Sequence, residues 1–458
     1  GAKIDGKIGC ELGRCGGKYA GPVNLHGNLA CQRGEPIRST TRNKRAAMKS
    51  IIVIGGGLIG AASALRLQHA GVQTTLIDPG DKRRSASYGN AGHIGSEQVN
   101  PWSAWENVWR APASSFALGG PLDFRWSDIG LWAPWSLRFL AACDAKRFAR
   151  GRAALSALLA DTMGAWQRLA ALADQPDLVI PHGHVTAWTS PQGAERGLRA
   201  AAGSAWGSAS YRELNASDLE RYAKVMTTPP VAGILVSGTG QVSDPQGVRD
   251  AILAKFEALG GEIIADRVTR IDPTNSDVVV SFSDKTLEAD AILVAGGAWS
   301  GQLMRMLDVN APVIGERGYS VQSAEHDWPA DLPTTVFEEK FFVFSRFTSG
   351  LRATSCIEFG SPDAPGDARK WRLLESRIAS TGVRFSKTPD RWVGARPTLP
   401  DYVPAIGRLK RNPRVLYAFG HAHLGLTMSA MTSELVLALA KGDATPFDLA
   451  PFEIERFA

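Results

Sequence analysis

Residues 51–78 read IIVIGGGLIGAASALRLQHAGVQTTLID: an apolar run, a glycine turn, a helical pattern, and a second apolar run closing on an acid. Ile51–Ile54 has the continuous apolar character of a strand buried on both faces. Gly55, Gly57 and Gly60 then supply a tight reversal, a backbone that can approach pyrophosphate, and close packing of helix on strand. The helix opening at Gly57 aims free N–H groups and its positive dipole end at such an anion. Ala64, Leu67 and Gly71 carry the helical spacing to a glycine stop. Asp78, eighteen residues past Gly60, can accept hydrogen bonds from a ribose 2′-hydroxyl. It repels a 2′-phosphate, which disfavours NADP and leaves NAD or the adenosine half of FAD. The bland alternative is a glycine-rich turn with no ligand; strand, helix and acid in the right order argue against it.

With 458 residues, 44% hydrophobic and 21% charged, the chain has the composition of an ordinary globular protein of two or three domains. Its net charge of +6 sits in the first fifty residues, which hold ten Lys or Arg against three Asp or Glu; the remainder carries 41 basic and 42 acidic side chains. The body is therefore neutral, and no nucleic-acid partner is expected. Ile51–Leu65, the most apolar uncharged stretch, is short and broken by four glycines, so no transmembrane segment is expected. Cys10, Cys15 and Cys31 match neither a zinc ribbon nor an iron–sulfur run, and no metal site is expected. Residues 1–47 lack a continuous apolar signal core and read as a leader upstream of a natural start at Met48.

Beyond Asp78, Lys82–Pro101 reads as a loop in which Gly89, Gly92 and Gly95 allow close approach to a ligand. Residues 101–206 carry nine of the thirteen tryptophans, a load that needs a large apolar surface to cover it. Helices are expected over Trp126–Ala142 and Ala153–Ala173. The aromatics of the first are expected in a core, with an amphipathic membrane-surface face as the alternative. Val248, Ile252, Leu253, Phe256 and Leu259 share one face of a helix that stops at Gly260–Gly261. The runs at 262–272 and 277–284 suit an antiparallel hairpin. Ala291–Val294 leads into a second glycine turn, Gly296–Gly297, and 311–385 alternates like sheet. Val415–Phe419 enters a third turn, Gly420–Gly425, and a helix from near Leu426 to Gly442.

The ordered blocks GGGLIG at 55–60 with Asp78, SYGNAGHI at 87–94, TGQVSDP at 239–245, VAGGAWS at 294–300, ERGYS at 316–320, WVGARPTLPDYVPAIG at 392–407, GHAHLGLT at 420–427 and PFDLAPFEIERFA at 446–458 resemble the D-amino-acid oxidase superfamily. The resemblance is greatest to the D-amino-acid dehydrogenase small-subunit group and covers Met48–Ala458. It implies an α/β fold: a Rossmann-like FAD-binding domain of glutathione-reductase type from 48–98, 240–310 and 390–458, with an α+β substrate domain on a mixed sheet from 99–239 and 311–389. It implies FAD, with Gly55, Gly57 and Gly60 at the pyrophosphate, Asp78 at the ribose and Val268 at the adenine. Asn90, Ala91 and Gly92 would run beside the ribityl chain and ring, with Gly296 on a neighbouring loop. Gly425, Leu426 and Thr427 would face the N1 edge of the isoalloxazine, where a helix N-terminus stabilises the negative charge of reduced flavin.

The resemblance also implies that Arg396 binds a substrate carboxylate, a task its guanidinium fork suits; the alternative is an arginine bracing the turn at Pro397 and Pro400. Tyr319 is either a second carboxylate contact or a pocket wall. His93 either tunes the substrate amine or hydrogen-bonds loop backbone, and His421 and His423 are expected to bond backbone. The implied reaction is oxidative deamination of a D-amino acid, or of a relative such as a hydroxyproline, by transfer of the α-hydrogen to FAD. The imino acid then hydrolyses to a 2-oxo acid. Electrons would leave to a quinone or an electron-transfer partner, in the cytoplasm or peripherally on the inner face of the plasma membrane. The competing readings are an amino acid or amine oxidase that uses O₂ and a flavin subunit inactive outside a larger complex.

Overall fold

Five apolar runs form the parallel centre of one sheet. In the computed structural model, which describes residues 48–274 and 276–458, the order is Glu262–Ile264, Gln73–Ile77, Ser50–Ile54, Ala291–Val294 and Val415–Phe419. Ala405–Arg408 closes the far edge antiparallel. Alternation sorts the side chains into two layers. Ile51, Val53, Leu293 and Leu416 face helices Leu58–His69, Pro245–Ala258 and Gly425–Lys441. Ile52, Ile54, Ile292 and Val415 face a three-stranded meander of Val268–Pro273, Val278–Phe282 and Lys285–Ala289. The segment Ala422–Lys441 is long and apolar enough by composition to cross a membrane, but two-thirds of it is buried, and it packs on Leu58–His69 as a core helix.

The hairpin expected over 262–284 is smaller. Glu262–Ile264 pairs with Thr75–Ile77 and covers what would be an open edge of the parallel sheet, and only Val268 onward enters the meander. The single helix expected over Ala153–Ala173 is two, Ala145–Leu159 and Thr162–Leu172, because Asp161 leaves the helical conformation and the Thr162 hydroxyl takes the Leu159 carbonyl. Lys82–Pro101 is mostly loop but carries a short 3-10 turn, Lys82–Arg84, and a two-residue strand, His93–Ile94.

A second, mixed sheet runs in the order Asp390–Thr398, Ile314–Ser323, Gly350–Gly360, Phe342–Phe347, Thr334–Phe337, His184–Trp188, Ala232–Ser237 and Ser210–Glu213, with Leu122–Phe124 added beside Ile357–Phe359. Asp390–Thr398, assigned from sequence to the cofactor side, is therefore an outer strand of this sheet, paired along Ile314–Gln322. That pairing carries Arg396 across to the second sheet.

Core packing, expected for the aromatics of Trp126–Ala142, holds for Trp135, which packs on Phe359 and Tyr402. It fails for the outer face of the helix Ile129–Ala142, where Ile129, Leu131, Leu137 and Leu140 are exposed; Trp105, Trp109, Leu118 and Trp126 are exposed nearby in sequence. Expectations placed on residues 1–47, including Cys10, Cys15, Cys31 and the leader, fall outside the described residues.

Gly55 has φ +111°, and a Cβ there would lie 2.5 Å from the Ala295 carbonyl oxygen. Gly55→Val should therefore abolish flavin retention and soluble folding. Gly71→Ala, at φ +81° with open space around it, should cost only about 1–2 kcal/mol. Thermal melts with flavin absorbance distinguish the two.

Candidate active site

A cavity of about 1260 Å³ is lined by the glycine turn Gly55–Gly57, Asp78, Asn90, Ala91, Val268, Gly296, Gly425, Leu426, Tyr319 and Arg396. It exceeds the usual size of a drug-sized site. Eleven of the fifteen residues expected at the site from sequence therefore share one lining. Gly60, Gly92, His93 and Thr427 stand outside it. Gly60 packs helix on strand: a Cβ there would lie 1.8 Å from the Gly55 oxygen. Gly92 lies against Phe347. The Thr427 hydroxyl accepts from the Gly95 N–H at 3.1 Å and donates to the His93 carbonyl at 3.3 Å, tying the last helix to the loop.

The lining suits a dinucleotide. Helix Leu58–His69 begins at Gly57, which has no side chain to cap it; the Leu58 N–H donates to the Ser87 hydroxyl at 3.2 Å, and the Ser85 hydroxyl lies 3.5 Å from where a Gly57 Cβ would stand. Asp78 accepts from the Gly56 and Gly80 N–H groups at 2.6 and 2.9 Å, which fixes the carboxylate at the end of its strand. Gly425–Lys441 likewise starts without a side-chain cap and faces the cavity with Gly425 and Leu426. The loop 87–92 is gripped by residues that sequence reasoning missed. Arg352, 2% exposed, donates to the Tyr88 and Asn90 carbonyls at 3.2 and 2.8 Å, and Ser345 donates to Ala91 O at 2.6 Å. Burial pulls the Arg352 pKa down to about 10. Arg249 donates to the Gly56 carbonyl at 2.6 Å. These partners come from distant strands and helices, so no local pattern marks them.

Arg396 is a quarter exposed, and its Nη1 donates to Glu316 Oε1 and the Cys356 carbonyl, both at 3.3 Å. Glu316 is buried and also accepts from the Thr398 and Tyr402 hydroxyls at 3.0 and 3.1 Å. Gly318 leaves room for the guanidinium, since a Cβ there would lie 2.1 Å from Nη2. A register shift opposite Gly318 puts Cys356 at φ +67°, a bulge of the kind that re-aims side chains beside functional sites. Glu316 opens the ERGYS segment at 316–320, but its role comes only from the pairing Glu316↔Arg396.

Tyr319 commits its hydroxyl to Glu358 Oε2 at 2.8 Å and accepts from Asp367 N–H at 3.1 Å, so the cavity meets its ring. Burial pushes its pKa up. Behind it, Lys370 is 0% exposed and donates to Asp123, Glu358 and Asp367 at 2.6, 2.8 and 3.2 Å; Arg317 bonds Glu358 at 2.5 Å, and Arg369 bonds Asp367 at 2.7 Å. Although burial opposes it, Asp123 and Glu358 raise the Lys370 pKa.

His93 does not line the cavity; instead its Nε2 lies 3.5 Å from Glu97 Oε1, correcting the expected contact to loop backbone. His421 and His423 also bond side chains rather than backbone, Thr432 Oγ1 at 3.1 Å and Gln98 Oε1 at 3.0 Å. Burial lowers both pKa values, that of His421 to about 3, which leaves His421 neutral at physiological pH.

A family model described as DAO, FAD dependent oxidoreductase, matches residues 50–439. The chain belongs to this family. It is 30% identical over 426 residues to a D-amino-acid oxidase of Bradyrhizobium diazoefficiens, covering 89% of this chain and 99% of the relative. It is also 30% identical over 437 residues to a D-amino acid dehydrogenase of Paramagnetospirillum magneticum, covering 89% and 98%. Among solved structures it is similar to an iminodiacetate oxidase from Chelativorans sp., with a TM-score of 0.64, 16% identity and 88% and 98% coverage. A glycine oxidase from Geobacillus kaustophilus gives a TM-score of 0.63, 19% identity and 88% and 97% coverage. The cofactor is FAD.

Glu316→Leu removes the common acceptor of Arg396, Thr398 and Tyr402. It should destabilise the fold by about 2–4 kcal/mol, which urea denaturation measures.

Proposed function

We propose that the protein oxidises the Cα–N bond of a D-amino acid, or of a secondary amino acid such as a hydroxyproline, and passes the electrons to a membrane quinone. The observation that carries this reading is Arg396, which enters the wall of a largely apolar cavity with Glu316 behind it and an uncapped helix end at Gly425 in the same lining. Its free guanidinium edge suits the substrate carboxylate, while Trp102, Phe139, Leu140 and Phe359 offer apolar walls to a side chain.

Bound FAD supplies the acceptor for the hydride that leaves Cα. Fixing the carboxylate aligns Cα with that acceptor, and the entropy spent in binding lowers the barrier. The amine must be neutral, because its lone pair assists hydride departure, and no side-chain base is then required. From a primary amine the imino acid takes up water to give a 2-oxo acid and ammonia; from a ring secondary amine the product is a cyclic imine, and the nitrogen stays on the product.

The quinone and membrane half of the proposal rests on the helices beside the cavity. Val108 of helix Trp105–Arg110, Ala111 just after it, and Phe139 and Leu140 of helix Ile129–Ala142 line it, while Trp105, Trp109, Ile129, Leu131 and Leu137 on the same two helices are exposed. Arg138, Lys146, Arg147, Arg150 and Arg152 are also exposed here, against Asp144. Exposed aromatic and aliphatic side chains with adjoining cations suit an anionic lipid surface, which supports a peripheral position on the inner face of the plasma membrane.

Under anaerobic conditions a panel of D-amino acids should bleach the flavin band. Arg396→Leu should raise the apparent KM roughly 10- to 100-fold with FAD retained; an unchanged KM removes its assigned role. Fast reoxidation in air with stoichiometric peroxide would favour an oxidase, and no bleaching by any substrate would favour an accessory flavin subunit. Vesicles containing phosphatidylglycerol should sediment the wild-type protein and release the variant with Trp109→Ser and Leu137→Ser. Equal sedimentation of both would sink the membrane contact.

A further inference from the structure

Outside the cavity, three side chains from two distant segments converge. His93 Nε2 lies 3.5 Å and His184 Nε2 3.9 Å from Glu97 Oε1, and all three ligand atoms lie within 4.8 Å of one another. The side chains are 13%, 5% and 10% exposed for His93, His184 and Glu97. Glu97 Oε2 is buried without a hydrogen-bond partner, so the protein's own contacts leave this carboxylate short of what a buried acid requires.

The hydrogen bonds fix which atom of His184 faces the carboxylate. Thr239 has one hydroxyl proton, and it donates to the Val236 carbonyl at 3.1 Å. The 3.0 Å contact between His184 Nδ1 and Thr239 Oγ1 must then be a donation from Nδ1–H. In the neutral ring Nε2 therefore holds a lone pair and points at an acidic oxygen, at a distance too long for a hydrogen bond. Two electron-pair donors face each other, an arrangement that a cation between them would satisfy. The Nδ1 anchor on Thr239 is the outer-shell bond that orients a metal-bound histidine.

We infer that His93, Glu97 and His184 form a binding site for a divalent transition-metal ion, zinc foremost, with water completing its coordination. Ligand atoms bound to zinc at about 2.0–2.2 Å stand roughly 3.3–3.5 Å apart in a tetrahedron, close to the two observed separations. Two imidazoles and one carboxylate suit zinc and its first-row neighbours and not calcium or magnesium, which take oxygen ligands. The other carboxylate cluster, Asp123, Glu358 and Asp367, already holds the Lys370 ammonium and needs no ion.

A metal there would pin strand His93–Ile94, next to the loop 87–92, to strand His184–Trp188 of the second sheet. It would also reach the cavity wall. Gln98 Nε2 donates to Glu97 Oε1 at 3.2 Å, and Gln98 Oε1 meets His423 Nε2 at 3.0 Å, so Glu97 sets the orientation of a cavity-lining histidine.

The test uses the full-length protein with its flavin. Metal content is measured by mass spectrometry, the protein is stripped with a chelator, and Zn²⁺ alone is titrated back by calorimetry. One tight site per chain is expected, lost in Glu97→Gln and in His184→Gln while the flavin spectrum and far-UV circular dichroism stay those of the parent. Zinc uptake by neither the parent nor the variants, or equal uptake by all, overturns the assignment. Should the variants not fold, Co²⁺ loaded into the stripped parent decides. Ligand-field bands without thiolate charge transfer support the site, and thiolate bands or no bands overturn it.

Discussion

No side chain fits between the ends of the two central strands. The backbone of Gly55 comes so close to that of Ala295 that even a methyl group would collide with the carbonyl, and the Gly55 and Ala295 N–H groups are spent on Ile77 and Ile54. That contact fixes where the first helix starts and where the second glycine turn leaves the sheet. The crevice opens at the carboxyl ends of the parallel strands, where open α/β sheets bind their ligands. The positions of Asp78, Gly296 and Gly425 around one cavity follow from it.

Features carried by a short period or a fixed offset were legible in the sequence. The strand, turn and helix at 51–71, the second turn at 296–297 and the last helix could all be read locally, and so could the candidate Asp78, whereas Arg396 was marked only by the resemblance of its block to the family. What was not legible is set by pairing across long separations. Glu316 acquires its meaning only because Ile314–Ser323 pairs with Asp390–Thr398. Arg352 grips a loop more than 250 residues earlier. The run at 262–272 divides between two sheets because an edge strand was free to accept it, a fact about the sheet and not about the run. Periodicity could show that Trp126–Ala142 is apolar and helical, but not how little of the protein covers it.

The site also shows how a charged side chain can be made both rigid and available. Glu316 gives one oxygen to Arg396 and the other to two hydroxyls, so the carboxylate is saturated while the guanidinium keeps donors to spare. A buried acid with several partners is expensive to desolvate. Its return is orientation, since Arg396 is held at a bulge where Gly318 leaves space and Cys356 offers a carbonyl.

The charge cluster behind Tyr319 constrains the history of the chain as well as its fold. Arg317, Arg369 and Lys370 balance Asp123, Glu358 and Asp367, three cations against three anions. Losing one buried member strands its partner in a low-dielectric surrounding, whereas replacing a matched set by apolar groups can be neutral. Glu358, shared by Arg317, Lys370 and Tyr319, has no stepwise route out. Across descendants of this sequence these positions should be inherited as a block, either all retained or exchanged together.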